Sequence, residues 1–297
     1  KVLDTIAEKY GHTFEYSYGD VGAMAIDKTG NPLPDATLAI CEASDAFLFG
    51  AIGHPKYDND PSAKVRPEQG LLKLRKSLGL FANIRPVTAY DSLLHMSPLK
   101  KDRIEGVDFV VYRELTGGIY FGAKGRDGDT AYDHCVYSKS EIDRIAHLAF
   151  KAAQNRQKKL LLVDKANVLE TSRLWRETVT EIGKEYPDVT VECMFVDNAA
   201  MQMIYNPKQF DVVLTENMFG DIISDEASMI GGSMGLLPSA SIGAKTGMFE
   251  PIHGSYPQAT GQNIANPIAT ILSVAMLLDH LDMIDEAIDV RAGVNYS

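Results

Sequence analysis

Strand-like and helix-like segments alternate along most of this chain of 297 residues. Residues 107–112 are rich in branched and aromatic side chains, whereas apolar residues recur at helical intervals over residues 140–153, just before the apolar run at 160–163. The same order returns at residues 172–184 and 190–196. Strands that alternate with helices in this way predict an α/β fold.

Further segments extend this pattern. Residues 2–10 predict a helix that stops at Gly11, and residues 46–52 predict a short strand. Residues 71–80 predict a helix, and residues 268–278 predict a buried core helix. The last segment is well short of the roughly 18 to 20 apolar residues that cross a bilayer. Glycines at positions 231, 232 and 235 indicate a break in the chain. We therefore expect a first lobe of residues 1–80 and 232–297 and a second lobe of residues 81–231.

The balance of charges restricts the partners of the chain. The formal net charge is −11, and the short clusters of lysine and arginine do not form a basic stripe. A phosphate backbone or an anionic membrane would be repelled by such a surface. The three cysteines are widely spaced, which suits a reducing compartment. We expect a soluble, cytoplasmic protein that binds neither nucleic acid nor membranes.

Three aspartates form a candidate metal site. Asp221 and Asp225 lie four residues apart in a helix-like segment, so both carboxylates project from one face of the helix. Alone, this pair also suits a solvated acidic face. Asp197, at the end of an apolar strand-like run, would complete a group of three. Carboxylates about 4 Å apart repel by about 4 kcal/mol at an effective dielectric of about 20, so such a group needs a cation. Mg²⁺ or Mn²⁺ is the expected ion.

Three arginines form a candidate anion site. Arg75, Arg85 and Arg113 each end an apolar element, and no acid follows any of them at the fourth position along. Guanidinium groups bind carboxylates through two parallel hydrogen bonds. Ordinary salt bridges are the alternative explanation for each arginine taken singly.

Lys165 and Tyr120 are candidates for proton transfer. Lys165 follows the apolar run at residues 160–163, at the carboxyl end of a strand where α/β folds place their sites. It could act as a base if burial and nearby cations favour its neutral form. A solvated loop lysine is the alternative. Tyr120 lies in a glycine-rich connection after a strand, where a phenol could reach a ligand, although a core tyrosine is equally consistent with the spacing.

The segments that carry these residues together resemble the β-decarboxylating dehydrogenases, the family of isocitrate and 3-isopropylmalate dehydrogenases. The signature-like stretch is NMFGDIISD at residues 217–225, which continues to Gly235 and Leu236. Segments similar to the isopropylmalate branch are EQGLLKLR, FANIRP and RELTGGIY. The resemblance covers essentially the whole chain and implies a two-lobed fold that differs from the Rossmann fold; no G-x-G-x-x-G follows a strand.

The resemblance implies an NAD-dependent oxidative decarboxylation of 3-isopropylmalate to 4-methyl-2-oxopentanoate in leucine biosynthesis. Lys165 would accept the hydroxyl proton and Tyr120 would protonate the enolate, and Lys165 and Asp197 would come from the partner subunit of a homodimer. The implied substrate contacts are Arg75, Arg85, Arg113, Leu71, Leu72 and Asp221. The implied metal ligands are Asp197, Asp221 and Asp225. The implied NAD contacts are Glu68, Asn167, His253, Gly254, Ser255, Gln258 and Asn266.

Two features of the resemblance concern specificity. Leu71 and Leu72 would form an apolar wall that suits an isopropyl group and disfavours a third carboxylate, although both could equally be helix core. Gln258 stands where the isopropylmalate pattern has an aspartate for the adenosine ribose, and it can still form hydrogen bonds. Since neither Gln258 nor its neighbours supply a cation for a 2′-phosphate, NAD is favoured over NADP.

Alternatives of two kinds remain open at the level of sequence. The chain begins inside a helix-like segment, and the family's amino-terminal strand with its glycine-rich turn, as well as part of its carboxyl end, are expected to lie outside this sequence. The substrate could also be another 2-hydroxy acid, such as D-malate, tartrate or homoisocitrate. A homologue that binds ligands without turnover is a rival of a different class.

Overall fold

The computed structural model describes residues 1–60 and 62–296. The chain divides into two compact units, Lys1–Leu80 with Gly235–Ser297, and Phe81–Met234. The sequence placed the second boundary at Gly232, and the structure has it at Gly235. In the part of the chain that is described, no helix combines the length and the apolar character needed to cross a membrane.

Helices and strands alternate in the order that the α/β prediction requires. The helices are α1 (Val2–Tyr10), α2 (Ala23–Thr29), α3 (Asp35–Ala43), α4 (Pro55–Asp58), α5 (Pro67–Ser77), α6 (Lys101–Ile104), α7 (Lys139–Gln154), α8 (Glu170–Gly183), α9 (Val196–Tyr205), α10 (Asn217–Ser228), α11 (Ile268–His280) and α12 (Ile284–Tyr296). The strands are β1 (Ala46–Leu48), β2 (Ala82–Thr88), β3 (Asp108–Glu114), β4 (Lys124–Asp127), β5 (Thr130–Asp133), β6 (Lys159–Asp164), β7 (Thr190–Phe195), β8 (Val212–Thr215), β9 (Pro238–Ile242) and β10 (Gly247–Pro251). The α/β prediction is confirmed.

The first unit is built on three strands covered by helices. β1 pairs with β10 in parallel, and β10 pairs with β9 in antiparallel register. The predicted core helix α11 packs on these strands and on α12. A polar contact ties α1 to α12, because His12 Nε2 lies 2.6 Å from Glu286 Oε1 and Tyr10 donates to Asp289 at 2.5 Å.

The second unit is built on five strands in the order β2-β3-β8-β6-β7. β2 and β3 are antiparallel, and the pairs from β3 to β7 are parallel. Residues 160–163 of β6 are continuously apolar because both faces of this strand are buried. Leu160 and Leu162 belong to the core beneath α7 and α8, whereas Leu161 and Val163 belong to the opposite core beneath α9 and α10. A strand covered on both faces needs apolar residues at every position.

Two element boundaries differ by four residues from the sequence prediction. The strand expected over residues 46–52 ends at Leu48, where its register with β10 ends opposite Phe249. The helix expected from residue 71 begins earlier, at Pro67. Proline suits the first position of a helix because its missing N–H would have no partner there.

Candidate active site

Both aspartates of the predicted metal pair lie on α10. This helix follows β8 after one residue, Glu216, whose carboxylate accepts a hydrogen bond from the Phe219 backbone N–H at 2.6 Å and so caps the helix. Gly220 allows the helix to approach β3 closely. A Cβ atom at this position would lie 2.6 Å from Cγ of Arg113, so any larger residue would push the helix away. The helix therefore presents Asp221 and Asp225 directly above the strands that carry the arginines.

Each of these aspartates faces a buried arginine. Arg113 Nη1 donates a hydrogen bond to Asp221 Oδ1, and Arg85 Nη1 donates to Asp225 Oδ1 at 2.8 Å. Arg85 Nη2 is also 3.8 Å from Asp221 Oδ1. The two arginines lie on the neighbouring strands β2 and β3, with 9% and 4% of their surface exposed. The sequence has no acid at the fourth position after either arginine and left ordinary salt bridges as the alternative. In the structure α10 supplies such carboxylates from more than a hundred positions along the chain.

Neutral side chains hold the two guanidinium groups from behind. Arg85 Nε donates to Asn83 Oδ1 at 2.8 Å, and Arg85 Nη1 donates to Ser224 Oγ at 2.6 Å. Asn217 Oδ1 accepts from Nε and Nη2 of Arg113 at 3.1 and 2.8 Å. Sequence reasoning did not single out these three residues. Their only sequence signal is that they lie inside the motif segments.

Tyr120 reaches the same cluster from the glycine-rich loop. Its hydroxyl donates to Asp221 Oδ2 at 3.0 Å, and its ring lies 6.0 Å from the Arg113 guanidinium carbon. The short 3-10 helix Gly118–Tyr120 starts at a glycine with φ of +72°, where a Cβ would collide with the Tyr137 hydroxyl. Partial burial, followed by the charge and hydrogen bond of Asp221, raises the pKa of Tyr120. The phenol therefore keeps its proton at neutral pH.

Buried carboxylates fix the loop and the helix to each other. Glu114, which has no exposed surface, accepts hydrogen bonds from the backbone N–H groups of Thr116 and Gly117 at 3.0 and 2.7 Å. Tyr137 donates to Glu216 Oε2 at 3.2 Å, and its oxygen accepts from the Asn217 backbone N–H at 3.0 Å. Burial raises the pKa of Glu216. The loop of Tyr120 and the start of α10 thus share one polar network.

Lys165 and Asp197 form an ion pair of their own. Lys165 Nζ donates to Asp197 Oδ1 at 2.6 Å, and its backbone N–H donates to Ser172 Oγ at 3.0 Å. The neighbour of Lys165 is thus a carboxylate, where the sequence suggested cations. Contact with Lys165 lowers the pKa of Asp197. Asp197 was expected to end a strand, and it lies instead in the first turn of α9, where a negative charge is favourable near the helix N-terminus.

The three aspartates do not assemble a metal site within one chain. Over residues 1–60 and 62–296, no three histidine, cysteine, aspartate or glutamate side chains come close enough to hold a metal ion. Asp221 and Asp225 share one face of α10, and Asp197 lies on α9 beside Lys165. The structure therefore separates the predicted ligands into a pair and a single residue.

Arg75 lies in the first unit and has a different partner. Arg75 Nη2 donates to Glu250 Oε1 at 2.9 Å, and both side chains are largely buried. Its Nε atom is buried without a hydrogen-bond partner in the described part of the chain. A buried guanidinium N–H without an acceptor costs free energy, which a ligand carboxylate would recover.

The two leucines of the predicted apolar wall are placed differently. Leu71 packs in the core of the first unit beside Leu33, Leu74 and Met248. Leu72 is 38% exposed on α5. Successive residues of a helix point about 100° apart, so Leu71 faces the core while Leu72 faces outward, and the apolar wall of both leucines stays a prediction.

Three segments of the first unit converge around Gly53. Ser255 Oγ donates to the Gly53 carbonyl oxygen at 2.6 Å. A Cβ atom on Gly53 would lie 3.3 Å from Glu68 Oε1 and 3.8 Å from Ser255 Oγ. The missing side chain leaves a cradle between the loop, the first turn of α5 and the segment after β10, which is the kind of place where a backbone approaches a ligand closely.

The other residues predicted to bind NAD are in loops and turns. His253 Nδ1 lies 3.0 Å from the Gly254 carbonyl oxygen. Gln258 is exposed in the 3-10 helix Pro257–Ala259, and Asn266 Oδ1 accepts from the Ile268 backbone N–H at 2.9 Å, at the start of α11. Asn167 lies in the second unit, exposed in the turn after β6.

A family model described as isocitrate/isopropylmalate dehydrogenase matches residues 1–297. The chain belongs to this family. The resemblance seen in its motifs is confirmed, and the isocitrate/isopropylmalate dehydrogenase family accounts for the chain from end to end.

Relatives of the family with closely similar sequences carry one name. The chain is 57% identical over 297 residues to the 3-isopropylmalate dehydrogenase of Bacteroides fragilis, an alignment that covers 100% of the chain and 84% of that protein. It is 60% identical over 298 residues to the 3-isopropylmalate dehydrogenase of Wolinella succinogenes, covering 97% of the chain and 82% of that protein.

Solved structures of the family have the same fold. The isocitrate dehydrogenase of Methylococcus capsulatus matches with a TM-score of 0.87 and 33% identity, over 99% of this chain and 85% of that one. The β-decarboxylating dehydrogenase of Thermococcus kodakarensis matches with a TM-score of 0.77 and 34% identity, over 99% of this chain and 84% of that one. The fold of the family is therefore the fold of this chain.

Proposed function

We propose that this chain is an NAD- and divalent-metal-dependent dehydrogenase that oxidises and decarboxylates 3-isopropylmalate to 4-methyl-2-oxopentanoate. The observation that carries the proposal is the cluster in the second unit, where Arg85, Arg113 and Tyr120 converge on Asp221 and Asp225. The relatives that share well over half of the sequence are 3-isopropylmalate dehydrogenases, which supports this choice of substrate within the family.

The charges of the cluster suit a dicarboxylate that arrives with a divalent cation. The positive charges of Arg85 and Arg113 balance the negative charges of Asp221 and Asp225. The two charges of a divalent cation balance those of a dicarboxylate substrate in the same way. Carboxylate oxygens on one helix face are suitable ligands for Mg²⁺ or Mn²⁺. Once Asp221 and Asp225 bind a cation, the guanidinium groups that now face them are available to the substrate carboxylates.

Arg75 is proposed as a further substrate ligand. Its Nε atom is buried without an acceptor in the described part of the chain, and Glu250 takes only Nη2. An incoming carboxylate would supply the missing acceptor. Leu72 is proposed to contact the isopropyl group, since it is the exposed member of the leucine pair.

Lys165 and Tyr120 are proposed to move the two protons of the reaction. NAD⁺ would supply the hydride acceptor and the divalent cation would polarise the substrate hydroxyl. Lys165, in its neutral form, would take the hydroxyl proton when C2 is oxidised to a ketone, with Asp197 then bound to the cation in place of the lysine. Tyr120 donates its phenol proton to C3, the carbon that loses CO₂, since its hydroxyl already lies in the cluster as a donor to Asp221.

A second copy of the chain is proposed to complete the site. α9 and α10, which carry the three aspartates, pack against each other and expose several apolar side chains. These are Met201, Ile204, Tyr205 and Ile222, all more than half exposed. Apolar groups on this scale, beside incomplete metal ligands, favour a homodimer in which Lys165 and Asp197 of one subunit face Asp221 and Asp225 of the other.

NAD is proposed to bind in the first unit at the cradle around Gly53. Glu68 and Ser255 border this cradle, and the loop with His253 and Gly254 follows the same strand. Asn266, Gln258 and, from the second unit, Asn167 are proposed as additional contacts. NAD is preferred over NADP because Gln258 offers no positive charge to a 2′-phosphate.

The three cysteines are free thiols, which supports a cytoplasmic location.

The rate of NADH formation tests this proposal. We expect turnover with 3-isopropylmalate, NAD⁺ and Mg²⁺, and its loss when EDTA removes the metal. Isocitrate, D-malate and NADP⁺, run beside them, should support far lower values of kcat/KM. Faster turnover of isocitrate or D-malate would show that this acid, and not 3-isopropylmalate, is the substrate. The absence of turnover with every acid would favour a homologue that binds ligands without turnover.

A further inference from the structure

Asn217, the first residue of α10, connects two parts of the proposed site. Its side chain is completely buried. Oδ1 accepts hydrogen bonds from Nε and Nη2 of Arg113 at 3.1 and 2.8 Å, and Nδ2 donates to the Gly117 carbonyl oxygen at 3.0 Å. Gly117 caps the 3-10 helix Gly118–Tyr120 at its start. One amide thus holds a substrate-binding arginine and the loop of the proposed proton donor.

The amide fixes which edge of the guanidinium faces the ligand. Asn217 occupies the edge formed by Nε and Nη2, and Nη1 is directed to Asp221 on the next turn of the same helix. A flexible arginine has many rotamers, so an anchor at its back lowers the entropic cost of binding a carboxylate at its front.

The anchor is also neutral, and this has an electrostatic consequence. A carboxylate in place of the Asn217 amide would accept the same hydrogen bonds but would cancel the charge of Arg113. Asn83 holds Nε of Arg85 in the same neutral way, and it too is fully buried. Both arginines are therefore oriented from behind by neutral groups, and the carboxylates that accept their hydrogen bonds are Asp221 and Asp225, the proposed metal ligands.

We propose that Asn217 is a positioning residue for the substrate dicarboxylate, acting through Arg113. We propose that it also fixes the position of the Tyr120 loop through its hydrogen bond to the Gly117 carbonyl. The inference rests on the proposed function, because the anion that Arg113 binds is the substrate. Asparagine combines an acceptor and a donor at this length, whereas aspartate lacks the donor and leucine lacks both.

Two variants separate positioning from simple support of the fold. Asn217→Asp keeps the acceptor and adds a charge, and Asn217→Leu keeps the approximate size without hydrogen bonds. We expect both to raise the KM for 3-isopropylmalate by roughly tenfold to a hundredfold, as the loss of a charge-assisted hydrogen bond would. The KM for NAD⁺ should stay within about twofold, because the change is confined to the carboxylate site.

Two further readouts do not depend on turnover. The stabilisation of the variants by 3-isopropylmalate and Mg²⁺ in a thermal melt, without NAD⁺, should be smaller than that of the wild-type protein. The fold is checked by the emission of the single tryptophan, Trp175, whose ring lies edge-on to Tyr137 at 5.4 Å, in the network that includes the Asn217 backbone. Ser273→Ala is the control, since it removes one buried hydrogen bond, to the Ala269 carbonyl, from α11.

A double-mutant cycle tests whether Asn217 acts through Arg113. We expect Arg113→Lys with Asn217→Leu to raise the substrate KM no more than Arg113→Lys alone. Additive effects on KM would overturn the inference, as would equal changes in the KM for substrate and NAD⁺, or the same KM change in Ser273→Ala. If Asn217→Leu does not fold, Asn217→Ser takes its place in the cycle. Failure of the wild-type protein to turn over 3-isopropylmalate would instead remove the proposed function, and this inference with it.

Discussion

At the scale of single residues, the proposed site is a set of ion pairs. Asp225 is about half exposed, and Arg85 keeps its hydrogen bonds to Asn83 and Ser224 without it, so we expect this pair to contribute little to the free energy of unfolding. The same carboxylate is well placed for a hard cation. Substitutions here should therefore change ligand binding more than stability.

Asp225→Asn tests this directly. We expect the Mg²⁺ concentration for half-maximal activity to rise by roughly tenfold or more, because a neutral amide is a weaker ligand for a hard cation. The melting temperature should change by less than about 2 °C, because the carboxylate is half exposed and Arg85 keeps Asn83 and Ser224 as partners. Glu226→Gln, the next acid on α10, is the control and should keep the wild-type Mg²⁺ dependence. A large loss of stability without a change in Mg²⁺ dependence would show a structural role.

Tyr120→Phe tests the proposed proton donor. We expect kcat to fall by roughly a hundredfold to ten-thousandfold, the usual contribution of a general acid, with a small change in substrate KM. Tyr16 provides a matched control, because it also donates to an aspartate at 3.0 Å, and this aspartate, Asp4, is not one of the proposed metal ligands. Turnover of Tyr120→Phe within twofold of the wild-type value would exclude the phenol as the acid.

At the scale of elements, α1 and α12 are joined by a pH-dependent contact. The hydrogen bond from His12, followed by one from the helix backbone, holds the pKa of Glu286 below its ordinary value of 4.5. A carboxylate with a lowered pKa stabilises the folded chain above its unfolded pKa, and this contribution disappears as the pH falls through the folded pKa.

Glu286→Gln should therefore lower stability in a pH-dependent way. At about pH 6 we expect its urea midpoint to lie below that of the wild-type protein, and at a pH well below the ordinary glutamate pKa of 4.5 the difference should be smaller. Glu8→Gln, on the exposed side of α1, should match the wild-type protein at both pH values. A difference that is undiminished at the lower pH would show that packing, and not the charge of Glu286, joins the helices.

The sequence predicted elements well where one face or both faces of an element are apolar. β6 and α7 were found within one or two residues because their patterns reflect burial alone. The place of Asp197 was not predictable, since β7 passes into α9 without a loop and local patterns do not show where a strand becomes a helix.

The partners of the site residues were the least predictable part. The acids beside Arg75, Arg85 and Arg113 come from distant segments, so only the folded chain reveals them. The same holds for Asn217, whose role depends on β3 and the glycine-rich loop meeting at α10. Family motifs indicated the candidate residues, and the fold shows what each of them contacts.

At the scale of the whole molecule, the proposed dimer makes a prediction about hybrids. A dimer of one Lys165→Gln chain and one Asp221→Asn chain, isolated with two affinity tags, contains one site with intact Lys165 and Asp221 if each site takes these residues from different subunits. We expect about half of the wild-type kcat per dimer, since one of the two symmetric sites is complete. Each variant alone should be nearly inactive. An inactive hybrid would show that both residues of a site belong to one chain.

The proposed reaction couples oxidation of 3-isopropylmalate to loss of CO₂. Simultaneous measurement of NADH, CO₂ and 4-methyl-2-oxopentanoate from 3-isopropylmalate, NAD⁺ and Mg²⁺ tests it most directly. We predict that the three products form in equal amounts and that EDTA abolishes all of them together. NADH formed without CO₂, or no products from the metal-loaded wild-type protein, would contradict it.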